Sequence, residues 1–371
     1  MAEARRTTDA PATLTAAQES ALRRIRAAGD RERGRALGRL LGHGVTEEDA
    51  ERLCGLLRGH ARVTLNFHPD RLLADHRGTV ADRLAADGRY RGQYETGLSN
   101  GSRSAHPGGL RDSWEERLFG GAYTGAAARE RPKYGALNLM RHADGAAPRF
   151  GSCHVRLRPE VSGRATFCFG DSHVGPKDLG TIDAFLPVLA ALVTDAAASG
   201  QSLGVAGADP VAEIGALAEA AAARPVGRAL DHYVEAQVHG DVDLARDAEA
   251  IVVDPSFRGT GTAELLASLG VPVEWHSGFV LRPAGRDDEL AAFRGPLMPP
   301  FAARVADEFG ADGAVDAATV GLAAASALRS PGKWAAYGTP DEVLQLVKQV
   351  WHCLVEFGDT GSRATGFRAT G

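Results

Sequence analysis

Two stretches of this sequence set polar side chains along one side of an extended chain and apolar ones along the other. In Tyr233-Val234-Glu235-Ala236-Gln237-Val238-His239-Gly240 the two kinds alternate with the period of two that a strand imposes. Val234, Ala236 and Val238 then point to a core, and Tyr233, Glu235 and Gln237 share the opposite face. A carboxylate in the middle of a strand, between a phenol and an amide, is costly to bury without a task. In water the same pattern is only the wet face of an edge strand. Arg62-Val63-Thr64-Leu65-Asn66-Phe67-His68 repeats the habit, with Thr64, Asn66 and His68 on the polar side and Pro69-Asp70-Arg71 directly behind. Two such strands can build a polar cleft between them.

Other chemistries find less support. Cys153 stands beside His154, but neighbours in a strand point to opposite faces and cannot form a nucleophile–base dyad, so Cys153 is read as a small core residue. His68, Asp70, His76, His154 and His239 fit no compact ligand spacing, and no metal is expected. No GxGxxG or GxxxxGK[ST] phosphate loop is present, and Gly259-Thr260-Gly261-Thr262 reads as a plain turn. Cys54, Cys153, Cys168 and Cys353 lack zinc or CxxC spacing and read as free thiols in a reducing compartment.

The bulk properties narrow the class. The chain has 371 residues, 44% of them hydrophobic, enough for a sizeable core. A net charge of −5 argues against a nucleic-acid coat or a membrane-surface protein, although a nucleic acid as local substrate stays open. Arg5 and Arg6 have no apolar run behind them, and no apolar stretch approaches a membrane span. The expectation is a cytoplasmic protein, with export by an unreadable signal left open.

The elements that must position the two strands follow from pattern and punctuation. Residues 1–11 are expected to be disordered, and 12–60 form a helical preface. Thr15 with Gln18 opens its first helix, which runs to about Gly29, a second runs from Asp30 to Leu41, and Thr46 caps a third. Residues 61–258 form an α+β core: the 62–68 strand, a 79–88 helix, a Gly- and Tyr-rich loop at 90–101, strands at 131–139 and 150–158, and a strand at 165–169 expected to form a hairpin with the one before it. An apolar helix over 182–198, delayed or kinked by Pro187, and an Ala-rich one over 210–223 precede the 233–238 strand. Residues 259–358 are mainly helical, with a strand at 271–276. The last helix opens with Thr339, Pro340 and Glu342 and closes at Gly358, leaving 359–371 as a disordered tail.

The segments Phe67–Arg71, Tyr90–Gly101, Arg131–Asn138, Phe150–His154 and Phe169–Ser172 resemble a bacterial family, domain of unknown function 3626, over about residues 60–358. More distantly, the order of parts resembles the ADP-ribosyltransferase superfamily, whose fold is shared with RNA 2′-phosphotransferases. There a first core strand offers His or Arg to NAD, a helix and loop follow, then a strand with Ser or Tyr, then a late strand with the catalytic Glu. The corresponding parts here are His68 and Arg71, the 79–88 helix, the 90–101 loop, Ser152 and Glu235. Gly151-Ser152-Cys153 stands where a Ser-Thr-Ser triplet belongs, and Tyr233 and Gln237 flank Glu235 in place of a Glu-x-Glu pair.

The resemblance implies a split antiparallel sheet core and an enzyme that cleaves the nicotinamide–ribose bond of NAD. ADP-ribose would pass to an unknown acceptor: a protein side chain, a nucleic-acid base, a small molecule or water. Glu235, Gln237 and His68 are then the catalytic candidates. His68, Arg71, Tyr90, Arg91, Tyr94, Ser99, Ser152 and Tyr233 are the NAD-binding ones. A fixed carboxylate suits the oxocarbenium-like centre, and a Tyr face suits nicotinamide. Alternatives are a nucleotide- or RNA-end-processing enzyme of the same fold, a non-catalytic nucleotide binder, or an interaction protein whose polar strands are merely wet.

Overall fold

The computed structural model describes residues 12–73, 77–97, 105–219 and 224–360. Its centre is a mixed sheet of eight strands: β1 Val63–Phe67, β2 Lys133–Leu137, β3 Cys153–Leu157, β4 Ala165–Phe169, β5 Leu179–Thr181, β6 Val234–Val238, β7 Ala248–Val253 and β8 Val273–Trp275. Their order across the sheet is β8-β7-β3-β1-β2-β6-β4-β5. Every pairing is antiparallel except β7 with β8. The fold is thus α+β, and β8 ties the mainly helical C-terminal part into the core sheet.

The alternation in β1 and β6 sorts side chains as their patterns require. Val63, Leu65, Phe67, Val234, Ala236 and Val238 enter the main core, with Leu53 and Leu57 of the preface and Val188 and Leu189 of the helix Leu186–Ser199. Both strands are buried along their full length, so their polar faces are enclosed too. Each such group therefore needs a partner inside the protein or a ligand.

Three expectations give way to longer-range packing. Strands β3 and β4 form no hairpin: β1, β2 and β6 lie between them, and the 3-10 turn Pro159–Arg164 carries the chain across. The first helix does not stop at Gly29 but runs unbroken from Ala16 to Gly42. Gly29 is a packing residue, since a Cβ there would lie 2.6 Å from the carbonyl oxygen of Ala184. Asp359 is no free tail, because it exchanges two backbone hydrogen bonds with Val280 at 2.8 and 2.9 Å. Residues 1–11 and the tail beyond 360 lie outside the described residues.

Helix starts follow the sequence closely. Thr15, Thr46, Thr79 and Thr339 all make capping boxes with the residue three positions on. Pro187 delays the apolar helix to Leu186 rather than bending it. The Ala-rich segment is helical only over Pro210–Gly215, continued by a 3-10 turn to Ala218.

Candidate functional site

The cleft opens where the sheet parts. Strand β1 pairs with β2 only at Val63↔Leu137 and Thr64↔Ala136, while it stays paired with β3 as far as Phe67↔Cys153. Beyond Thr64 the two strands diverge. The close approach at the fork needs Gly135, where a Cβ would meet the Thr64 carbonyl oxygen at 2.4 Å. The gap holds a cleft of about 340 Å³, floored by Asn66, Tyr134 and Glu235 and walled by His68, Tyr90 and Trp114 among others.

Glu235 is 5% exposed and held from two sides. Oε1 accepts from the Gln237 amide at 2.7 Å, and Oε2 accepts from the Ser172 backbone N–H at 3.3 Å. Ser172 reaches it because Gly170, at φ 80°, turns the chain back after β4 and donates its N–H to the Tyr233 carbonyl at 3.0 Å. Gln237 is locked in turn. Its oxygen accepts from the Thr166 hydroxyl at 2.6 Å, and that hydroxyl lies 3.1 Å from His239 Nε2, whose Nδ1 lies 2.5 Å from the Tyr123 hydroxyl. Donors and acceptors match along this chain if His239 carries its proton on Nε2. Burial, then the Asp171 charge, pushes Glu235 from 4.5 up to about 7, against the pull of the Ser172 and Gln237 hydrogen bonds.

His68 ends β1. The segment behind it is tied to the helix Val80–Asp87 by Val80 N–H to the Arg71 carbonyl at 3.0 Å and Ala81 N–H to the Pro69 carbonyl at 2.8 Å. Its ring meets Trp351 edge-on, with centroids 5.2 Å apart. Burial, then Arg71, drives its pKa down to about 3, so the imidazole is neutral. The cleft lining is rich in cations: Arg71, Arg83, Arg89, Arg91, Arg111, Arg149 and Lys348 line it beside Asp171 and Glu235, with Glu95, Asp87 and Asp231 pairing Arg89, Arg91 and Arg149 from outside the lining. In a chain of net charge −5 this is a local feature that calls for an anionic ligand.

The structure brings together His68, Arg71, Tyr90, Arg91 and Glu235 at one cleft. Gln237 lies behind Glu235 and positions it. Tyr233 is also a layer back, donating to Asp171 Oδ2 at 3.0 Å and packing against Phe150. Tyr94 is a supporting residue, its ring 4.6 Å from the Arg131 guanidinium. Ser152 is not brought to the cleft: it precedes β3, on the far side of β1, and its carbonyl accepts from His276 Nε2 at 2.8 Å. The strand between His68 and Glu235 is β2, and its cleft-facing residue is Tyr134. Ser99 lies outside the described residues.

Sequence reasoning missed Tyr134, Arg111, Trp114, Asp171 and Ser172. Tyr134 alternates with Ala136 on the face shared with Glu235, which a period-two reading of β2 detects once its neighbour is known. Arg111 and Trp114 are three apart on a helix, a spacing that shares one face. Among the described residues, no group of three or more His, Cys, Asp or Glu side chains is placed to hold a metal ion. The cysteines are free. No described helix is long and apolar enough to cross a membrane.

Fold and site together define an α+β protein with a cationic cleft set into a forked sheet, and a buried carboxylate at its floor. Residues 62–357, from β1 to the last helix, match the family described as protein of unknown function (DUF3626), and the chain belongs to that family. No curated protein matches the sequence.

Proposed function

We propose that the cleft binds NAD and cleaves its nicotinamide–ribose bond, passing ADP-ribose to an acceptor or to water. The observation that carries this reading is the pairing of His68 and Glu235 on strands that flank one middle strand, with Tyr134 between them and cations around them. The order His, Tyr, Glu along the chain is the order of parts that the ADP-ribosyltransferase resemblance implies. It uses Tyr134 in place of Ser152.

In this reading the C1′–N bond breaks with its electron pair leaving on nicotinamide. The ionised Glu235 carboxylate stabilises the positive charge left on the ribose and accepts from its 2′-hydroxyl. Gln237 and Ser172 hold that carboxylate in place before the reaction begins, so little reorganisation is needed at the barrier. Neutral His68 hydrogen-bonds the ribose, the arginines hold the diphosphate, and the aromatic rings offer a face to nicotinamide. A nucleophile from the acceptor, or water, then bonds to C1′ and loses its proton.

The cationic lining equally suits the phosphate of a nucleotide or RNA end, and this keeps the end-processing alternative in play. A thermal melt with increasing NAD tests the main reading. NAD at about 100 times its Kd adds roughly 2.7 kcal/mol of stability, which a melt detects as an upward shift. No shift at millimolar NAD refutes NAD binding. A shift without nicotinamide release supports a binding module instead.

A further inference from the structure

One cation in the cleft is set apart from the rest. Arg111 is 8% exposed, and its guanidinium lies over two rings, with Trp114 at 4.6 Å and Tyr134 at 4.5 Å from ring centroid to Cζ. Both rings are within cation–π distance, and hydrogen bonding is left to its in-plane N–H donors. Nε is buried and has no hydrogen-bond partner among the described residues. Nearby arginines are matched with carboxylates: Arg131 with Glu115 and Asp112, Arg89 with Glu95, Arg91 with Asp87. Glu115, whose charge Arg111 feels, is already engaged by Arg131 at 2.8 Å and by the Tyr134 hydroxyl at 2.7 Å.

Burying a guanidinium with unfilled donors costs more than stacking on aromatic rings returns. A second feature points the same way. Arg111 stands in the first turn of the helix Leu110–Phe119, whose N-cap is Gly109, without a side chain to occupy the open N–H groups. The carboxylate of that turn, Asp112, is directed elsewhere, to the Gly108 N–H at 2.8 Å and to Arg131 at 2.7 Å. Leu110 and Arg111 of the first turn line the cleft together with Trp114, so the positive end of the helix and the guanidinium stand at the same wall.

We propose that Arg111 and the N-terminus of its helix form a phosphate subsite that holds a diphosphate group of the cleft's ligand. A planar guanidinium fork matches two oxygens of a phosphate. The proposal deepens the NAD reading by naming where the diphosphate sits. It rests on that reading only for the rest of the ligand.

The test is calorimetric titration of the full chain with inorganic diphosphate, using wild type, Arg111→Gln and Arg111→Lys, with a thermal melt of each. Wild type binds diphosphate. Arg111→Gln weakens binding by roughly 10- to 100-fold, as loss of a charged hydrogen-bonding group does. Arg111→Lys keeps the charge, lacks the fork and recovers only part of the loss. Arg111→Gln melts no lower than wild type, because the arginine serves the ligand and not the fold. Equal diphosphate binding by wild type and Arg111→Gln overturns the proposal, and so does a lowered melt in Arg111→Gln with unchanged binding in Arg111→Lys. If Arg111→Gln does not fold, Arg111→Lys alone decides, with unchanged binding again overturning it. Loss of diphosphate binding in a protein that never releases nicotinamide sinks the transferase reading and keeps the subsite. Nicotinamide release by Arg111→Gln at an unchanged KM for NAD does the reverse.

Discussion

Replacing Glu235 by Gln separates the cost of burying a charge from the loss of a side chain. In the folded protein burial and Asp171 raise this carboxyl to about 7 from its ordinary 4.5. Between those values the folded state keeps a proton that the unfolded state has released. Stability from this group therefore falls as pH rises across the window, and the loss is complete above about 7. At about 1.4 kcal/mol per pH unit, a window from 4.5 to about 7 corresponds to roughly 3 kcal/mol. Gln is uncharged throughout and escapes that loss. It also places an amide NH₂ against either the Ser172 N–H or the Gln237 amide, and a donor facing a donor costs about 1–3 kcal/mol at any pH. The difference in unfolding free energy, variant minus wild type, should then rise by roughly 3 kcal/mol between pH 4.5 and pH 8. Urea denaturation of both proteins across that range measures it. A difference that stays constant with pH refutes the claim that Glu235 is buried at an energetic cost.

His68→Ala should weaken NAD binding by roughly tenfold, the contribution of about one hydrogen bond, while leaving kcat nearly unchanged; a titration and a rate measurement separate the two. Gly135→Ala places a Cβ 2.4 Å from the Thr64 carbonyl oxygen at the fork of the sheet. It should cost at least ~2 kcal/mol and reduce ligand binding, read by denaturation and titration. Thr339→Ala removes the hydroxyl that accepts from the Glu342 N–H at 3.4 Å. It should cost about 1 kcal/mol, and a melt unchanged within error contradicts the role of that cap.

What the sequence shows clearly is local. Glu235 and His68 were legible because alternation in a strand decides which side chains share a face, and that needs only a few consecutive residues. The caps at Thr15, Thr46, Thr79 and Thr339 were legible for the same reason, since each box closes within three positions. What depends on neighbours far along the chain was not. Strand order is set by packing of the whole sheet, so proximity in sequence paired β3 with β4, whereas the sheet separates them by three strands. The same gap led to Ser152 instead of Tyr134 as the middle strand's contribution, because nothing within β2 says which strands flank it. Gly29 looked like a helix stop because its role is to admit Ala184, 155 positions away (184 minus 29), which no local pattern records. Arg111 escaped notice because the ring of Tyr134 that completes its stack comes from another element.

Nicotinamide release from NAD by wild type and by Glu235→Gln tests the central claim most directly. Glu235 is held by Ser172 and Gln237 to act on charge that develops only as the bond breaks. The account predicts release by the wild type, with or without an acceptor, rising with pH through about 7 as Glu235 ionises. It predicts a kcat lowered by roughly 10²- to 10³-fold in Glu235→Gln, with NAD binding little changed. No release by the wild type with any acceptor tried, or a Glu235→Gln variant as fast as the wild type, contradicts it.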